Sequence, residues 1–273
     1  MPKFSVVCPV YSQDDPNFDR KPVIGRTIRS VLNQQFTDWE LILVNDGCRD
    51  AMPDILESWA KKDSRIKVVH QEPQNRAIAR NTGMDNATGE WICWLDSDDE
   101  YTSHYLRAIE KASRDLPEYN IFNFESIIYF PDHHSLIREA FKPKIEGNGH
   151  EWFRSGSIAT GSFVFKRELW SSDPKYRIPD ECSPYGFAAA SGFDMRLEPG
   201  REDIEFKSEE AFTDHKLRVG LSLGNPFGDD FLQAYLLTRD NIMKPLDIAL
   251  YIQYPRSSET DMFDCFGDNR WIK

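Results

Sequence analysis

Three carboxylates, Asp96, Asp98 and Asp99, stand within four residues and directly follow the apolar run 91–95 (WICWL). Oxygen donors set this closely suit a hard divalent cation such as Mg2+ or Mn2+, with water and substrate phosphates completing its shell. The same residues also make an ordinary solvated turn, because Asp is favoured in turns and at helix starts. The run before them distinguishes the two readings: five residues with the composition of a buried strand deliver the carboxylates to the end of a sheet. A helix–loop–helix calcium site is excluded. Counting from Asp96, the sixth position is Tyr101 where such a loop needs Gly, and the twelfth is Arg107 where it needs Glu.

Other chemistry-bearing residues are scattered. Arg76 and Arg80 lie four apart and share a helical face, which either is solvated or meets an anionic group. Glu202-Asp203 follows Pro199-Gly200, a pattern that also serves as a plain helix start. His215 stands alone in an acidic stretch and is either a metal ligand or a structural side chain. His133-His134 falls in a loop-like stretch and carries no role.

The elements that must position these groups alternate along the first half. Residues 4–10 (FSVVCPV), 40–44 (ELILV), 66–70 and 91–95 read as short buried strands. Between them, Ile24, Ile28, Val31 and Leu32 follow helical spacing, residues 53–62 place Pro53 in a first turn with Ile55, Leu56 and Trp59 on one side, and residues 77–87 complete a third helix. Strand–helix alternation of this kind predicts an α/β fold with a mostly parallel sheet flanked by helices. Ligands bind such sheets beyond the carboxyl ends of the strands, where Pro9, Val10 and Tyr11, Asn45-Asp46, and the 96–99 cluster all fall. One cleft lined by residues distant in sequence is therefore expected. Further on, residues 103–113 read as a helix capped by Ser103, 120–130 as a strand, 131–150 as a hairpin or surface excursion, and 162–165 as a short strand. Four prolines argue against a long helix within 171–200, and its aromatics among small residues (Tyr185, Phe187, Phe193) suit either a closing loop or a surface excursion. Residues 203–212 and 231–237 read as helical, with an irregular tail after them.

The 273 residues, 40% hydrophobic and 13% aromatic, suffice for a substantial core. The net charge of −12 lacks the basic stripe of a nucleic-acid binder, and an acidic protein with an anionic substrate needs local cations or a metal. Five dispersed cysteines with no C-x-x-C spacing argue against a disulfide framework or a zinc knuckle. No signal peptide is read at the N-terminus, and no run reaches the about 18 apolar residues of a membrane span. A cytoplasmic setting is expected, with room for peripheral membrane association.

The order of motifs is similar to that of the inverting, GT-A-fold glycosyltransferases of family 2. It runs Pro9-Val10-Tyr11, Ser30-Val31-Leu32-Asn33-Gln34, Asn45-Asp46-Gly47, Ala79-Arg80-Asn81-Thr82-Gly83, Gly89-Glu90-Trp91, Asp96-Ser97-Asp98-Asp99 and Glu202-Asp203. The resemblance covers about residues 3–105 and reappears near 157–170 and 202–206. It implies a Rossmann-like GT-A domain in which 1–105 bind the nucleotide sugar, 106–225 supply the acceptor side and the catalytic base, and 226–273 form an extension. It further implies a UDP- or GDP-sugar donor, Mn2+ or Mg2+, and a glycan or glycoconjugate acceptor. Carried over by position, Asp46 contacts the nucleobase, and Pro9, Val10 and Tyr11 wall the nucleoside pocket. Asp96 and Ser97 lie on the ribose side, Asp98 is the direct metal ligand with Asp96 and His215 as further candidates, and Asp99 is only a turn or helix-start residue. Arg76 and Arg80 meet the diphosphate, and Asp203, or else Glu202, is the general base. The family commonly has two Asp where this chain has Asn45-Asp46, which bears on base choice. A nucleotidyltransferase or kinase, or a non-catalytic sugar-nucleotide-binding protein, would use similar residues. No P-loop is present, and the glycines at 147 and 149 are followed by Trp152 instead of a third glycine.

Overall fold

The computed structural model describes residues 1–14, 19–74, 76–130, 135–138, 160–172 and 241–254. Its first half alternates as β1 (Phe4–Val10), α1 (Lys21–Leu32), β2 (Trp39–Asp46), α2 (Met52–Ala60), β3 (Ile66–Gln71), α3 (Arg76–Asp85) and β4 (Trp91–Trp94). There follow β5 (Glu100–Tyr101), α4 (Tyr105–Asp115), β6 (Ile121–Phe130), β7 (Ser135–Arg138), a 3-10 turn at Thr160–Ser162, β8 (Phe163–Lys166), α5 (Arg167–Ser172) and β9 (Met243–Gln253).

All described strands join one sheet in the order β3-β2-β1-β4-β8-β6-β9-β5, with β7 paired to β6. β1, β2, β3 and β4 are parallel to one another, as their apolar runs predict. Beyond β4 the sheet is mixed. β8 enters antiparallel between β4 and β6, whereas β6 and β9 pair in parallel. Every residue of β1 and β2 is buried, because helices cover both faces. Val6, Cys8, Leu41 and Leu43 pack on one side with α1, α2 and α4, and Val7, Ile42, Val44 and Trp94 pack on the other beneath α3. The latter side is so close that a Cβ on Gly83 would run into the Val7 side chain.

Two sequence expectations change. Residues after 237 were expected to be an irregular tail, yet 243–253 form β9, the longest described strand. Pro245 and Asp247 hide it, since both are disfavoured in regular strands. Pro245 pairs in register with Asn123, whereas Asp247 falls in the first of two register shifts against β6, at Phe124–Glu125 and Glu125–Ser126. The Ser103 cap is also replaced. α4 begins at Tyr105 with His104 at its N-cap and no side-chain bond there. The Gln34 side chain, two residues past the end of α1, accepts the Leu106 N–H instead (3.0 Å).

At the amino ends of the strands one buried carboxylate ties the sheet together. Glu40 on β2 accepts hydrogen bonds from Ser5 Oγ (2.6 Å), Thr88 N (2.7 Å), Thr88 Oγ1 (2.8 Å) and Lys67 Nζ (2.6 Å). Burial alone would raise its pKa, but the bonds from Lys67, Ser5 and Thr88 outweigh that and bring it from 4.5 down to about 2. A carboxyl held below its unfolded value stabilises the fold fully above about pH 4.5 and loses that contribution as pH falls toward 2. Glu40→Gln should therefore cost about 3 kcal/mol at neutral pH, the free-energy equivalent of that shift, and flatten the acid limb of stability. Urea unfolding between about pH 7 and pH 3 measures this; equal neutral stability for the variant would sink the assignment.

Candidate donor site at the strand ends

The carboxyl ends of β1, β2 and β4 bring three segments together. Each is held by a different set of bonds, and these explain several of the sequence motifs.

After β1, Tyr11 and Ser12 lead into α1. The Ser12 hydroxyl donates to Asp50 Oδ2 (2.6 Å) and accepts the Arg20 N–H (3.0 Å), and the Ser12 N–H reaches Cys48 Sγ (3.2 Å). Cys48 in turn donates to the Val10 carbonyl (3.4 Å), and burial pushes its thiol up to about 11, so it stays neutral. Asp50 also accepts the Met52 N–H (2.9 Å) at the start of α2 and pairs with Lys21 (3.4 Å). The loops after β1 and β2 are thereby latched to each other. Pro9 and Val10 are buried within β1, and Tyr11 is half-buried with its hydroxyl donating to Gln13 Oε1 (3.3 Å).

After β2, Asp46 is 5% exposed and its Oδ1 accepts the Gln71 side-chain amide (2.7 Å) and the Gln74 N–H (2.9 Å). Asn45 closes the turn, with its Oδ1 accepting the Cys48 N–H (2.9 Å) and its amide meeting His70 Nδ1 (2.8 Å), whose Nε2 reaches Glu57 (2.9 Å). An amide at this position donates to His70, which a carboxylate cannot do. Gly47 has φ +64°, and a Cβ there would meet Pro73, so the turn requires glycine.

After β4 comes the acidic turn. The Asp99 N–H donates to the Asp96 carbonyl (3.1 Å), so 96–99 form one tight turn. Asp96 and Asp98 are its more accessible carboxylates, with side chains 24% and 21% exposed. Arg80 on α3, 1% exposed, donates to Asp96 Oδ1 (3.1 Å), and Arg20 at the start of α1 pairs with Asp98 Oδ2 (3.2 Å). Arg80 thus sits underneath the turn and not on an open helix face, whereas Arg76, one turn earlier, is only half-buried. Ser97 is buried, with its carbonyl accepting from Thr27 Oγ1 (3.1 Å), and the Asp98 carbonyl accepts from Arg26 (2.7 Å).

Asp99 behaves unlike its neighbours and unlike its expected role as a turn residue alone. It is 6% exposed, Oδ2 accepting the Tyr251 hydroxyl (2.8 Å) and Oδ1 the Tyr254 N–H (3.0 Å). Burial, reinforced by Asp98 and Asp96, pushes its carboxyl well above the usual carboxylate range despite those bonds. Arg20, Arg26, Asp99, Tyr251 and Tyr254 all support this site. Position in a motif signals only Asp99.

The Ser30-x-x-x-Gln34 motif also belongs to this support. Ser30 Oγ accepts the Tyr101 N–H (3.2 Å), and the Gln34 amide donates to the carbonyls of Ser30 (2.9 Å) and Thr102 (2.8 Å). Arg26, Thr27 and Ser30 on one face of α1, and Gln34 two residues past its end, each grip the chain between Ser97 and Leu106.

Hard carboxylate oxygens on Asp96 and Asp98, partly open and at a strand end, fit a divalent cation held jointly with a diphosphate. Among the described residues no three His, Cys, Asp or Glu side chains gather around one point, so the phosphates would complete the shell. Glu202, Asp203 and His215 lie outside the described residues, as does the stretch 174–200. No helix among the described residues is long and apolar enough to cross a membrane.

Comparison with known proteins agrees with this arrangement. A 107-residue stretch is 38% identical to the putative glycosyltransferase EpsH of Bacillus subtilis (strain 168), covering 39% of this chain and 31% of that protein. Another, of 116 residues, is 34% identical to a GalNAc(5)-diNAcBac-PP-undecaprenol beta-1,3-glucosyltransferase of Campylobacter jejuni, covering 41% of this chain and 35% of that one. The matched stretches thus span about a third of these curated relatives. In three dimensions the chain resembles the crystal structure of residues 1–349 of S. aureus TarS in complex with UDP-GlcNAc, with a TM-score of 0.61 and 16% identity over 93% of this chain and 59% of that one, a likeness of fold. The glycosyl transferase family 2 model matches residues 5–171, from β1 into α5 and across all three segments of the site, and the chain belongs to that family.

Proposed function

We propose that the chain transfers a sugar from a nucleoside-diphosphate donor to a hydroxyl of a glycan or glycoconjugate, in one metal-dependent step that inverts the anomeric centre. The observation that carries this reading is the convergence of Asp46, the 9–11 segment and the Asp96–Asp99 turn at the ends of adjacent parallel strands. In this reading Pro9, Val10 and Tyr11 wall the nucleoside, and Asp46, held by Gln71 and Gln74, accepts from the base. Asp96 and Ser97 lie on the ribose side, Asp96 oriented by Arg80. Arg76 and Arg80 add positive charge where an acidic protein must hold a diphosphate. Asp98, with Asp96 and His215 as further candidates, would hold Mn2+ or Mg2+, which when bound offsets the charge of the departing diphosphate. Asp203, or Glu202, takes the proton of the acceptor hydroxyl. Residues 1–105 form the donor half and 106–225 the acceptor half, with 226–273 as an extension that includes β9.

The donor base is proposed to be uracil, because the structural neighbour TarS binds UDP-GlcNAc with the same fold. A lipid-linked glycan is the proposed acceptor class, from the undecaprenol-linked substrate in the name of the Campylobacter relative. The test mixes protein, Mn2+ and a panel of UDP- and GDP-sugars and measures released nucleoside diphosphate with and without acceptors. Release from a UDP-sugar, lost on chelation, is the expected result. Tight binding of a nucleotide sugar with no turnover under any condition would make the chain a binding protein instead.

A further inference from the structure

We propose that Tyr251, on β9 and more than 150 residues downstream of the acidic turn, is a positioning residue that fixes the carboxylates of Asp96 and Asp98 for the donor, an inference that rests on the donor-site reading above. The phenol makes two bonds, and they go to the two ends of one turn. Its hydroxyl donates to Asp99 Oδ2 (2.8 Å), and its oxygen accepts the Asp96 N–H (3.2 Å). Asp96 and Asp99 are the first and fourth residues of that turn, already joined by the Asp99 N–H to Asp96 carbonyl bond. Asp98 is the third. A single side chain therefore sets the spacing of the turn from outside it, and the directions of the Asp96 and Asp98 side chains follow from that spacing.

The surroundings keep Tyr251 in this position. Its ring is fully buried and tilts against Tyr101 at 5.9 Å between centroids. Gly161 comes so close that a Cβ there would overlap the ring, so Gly161 leaves the space the phenol occupies. Tyr254, three residues on, adds its N–H to Asp99 Oδ1 (3.0 Å) and its hydroxyl to Glu100 (2.6 Å), and Arg26 stacks over its ring at 3.5 Å while donating to the Asp98 carbonyl. β9, with Tyr254 just past its end, thus grips the turn from one side as α1 grips it from the other. The Tyr251 hydroxyl differs from the rest of the side chain in what it does. The ring fills core that Phe would fill equally, whereas the oxygen serves only the turn.

Tyr251→Phe separates the two. The variant should stay folded, with an unfolding temperature within a few degrees of wild type, because the ring and its packing remain. Binding of UDP in the presence of Mn2+, measured by calorimetry across a Mn2+ titration, should need about tenfold more Mn2+, the scale of one lost buried hydrogen bond. Asp99→Asn should do the same, and the double variant should be no worse than either single one, since both act through one turn. Asp98→Asn is the reference. A wild type without Asp98-dependent Mn2+·UDP binding overturns the donor-site reading and this inference with it. Wild-type Mn2+ dependence in Tyr251→Phe beside an impaired Asp98→Asn, or losses that simply add in the double variant, overturns the positioning role alone.

Discussion

Asp98→Asn is expected to lower sugar-transfer turnover by about 10²- to 10³-fold, the scale seen when one preorganised electrostatic group is lost from a transition state, with a folded protein left behind. The backbone of the turn does not depend on the Asp98 carboxylate: Thr27 holds the Ser97 carbonyl, Arg26 holds the Asp98 carbonyl, and the Asp99 N–H closes onto Asp96. Asn keeps the size of the side chain and an acceptor oxygen for Arg20, which lies 3.2 Å from the carboxylate. What it removes is one negative charge on a side chain 21% exposed. That charge matters in two ways: a hard divalent cation prefers a carboxylate to an amide, and Arg20 loses its counter-ion beside the position proposed for the diphosphate. The Mn2+ requirement should climb along with the loss of turnover, and excess Mn2+ should recover part of it. Turnover across a Mn2+ series, with circular dichroism to confirm folding, gives the answer. Turnover and Mn2+ dependence both equal to wild type would remove Asp98 from the role of metal ligand.

The parts of the fold that could be read from sequence are those fixed by local pattern. β1, β2, β3 and β4 are apolar runs, and α1 and α2 show helical spacing with proline in the first turn, so the parallel half and its carboxyl-end cleft follow directly. The order of the remaining strands depends on pairing between residues far apart, and nothing local announces that β8 inserts antiparallel between β4 and β6. β9 escaped because Pro245 and Asp247 are poor strand residues and its register shifts break the alternation that would have revealed it. At the site, the three acidic residues could be counted but not told apart. Their difference lies in partners: Arg80 for Asp96, Arg20 for Asp98, and Tyr251 of β9 with Tyr254 just past its end for Asp99. Arg80 looked like half of a surface pair with Arg76 because spacing gives a shared face but does not say how deeply the face is covered. Ser30 and Gln34 were recognised as a motif without a reason for it. The reason is mechanical, since they lock α1 to the chain that leaves the acidic turn.

The second large effect is expected at Asp203, where Asp203→Asn should reduce turnover by about 10²- to 10⁴-fold, the usual contribution of a general base. A sugar hydroxyl is a poor nucleophile until its proton has somewhere to go, and in a one-step displacement the acceptor oxygen must lose that proton as it attacks. An amide of the same size keeps hydrogen-bonding capacity but cannot accept the proton. Donor binding should be untouched, because Asp46, Asp96 and Asp98 lie on the ends of β2 and β4, within the half of the chain assigned to the nucleotide sugar. The prediction is therefore a split: UDP affinity and its Mn2+ dependence as in wild type, with kcat collapsed and the acid limb of its pH profile gone. Glu202→Gln is the internal comparison, since the two neighbours compete for the role. A collapse in Glu202→Gln with near-normal turnover in Asp203→Asn would transfer the base to Glu202. Wild-type turnover in both would mean that the proton leaves by a route involving neither carboxylate.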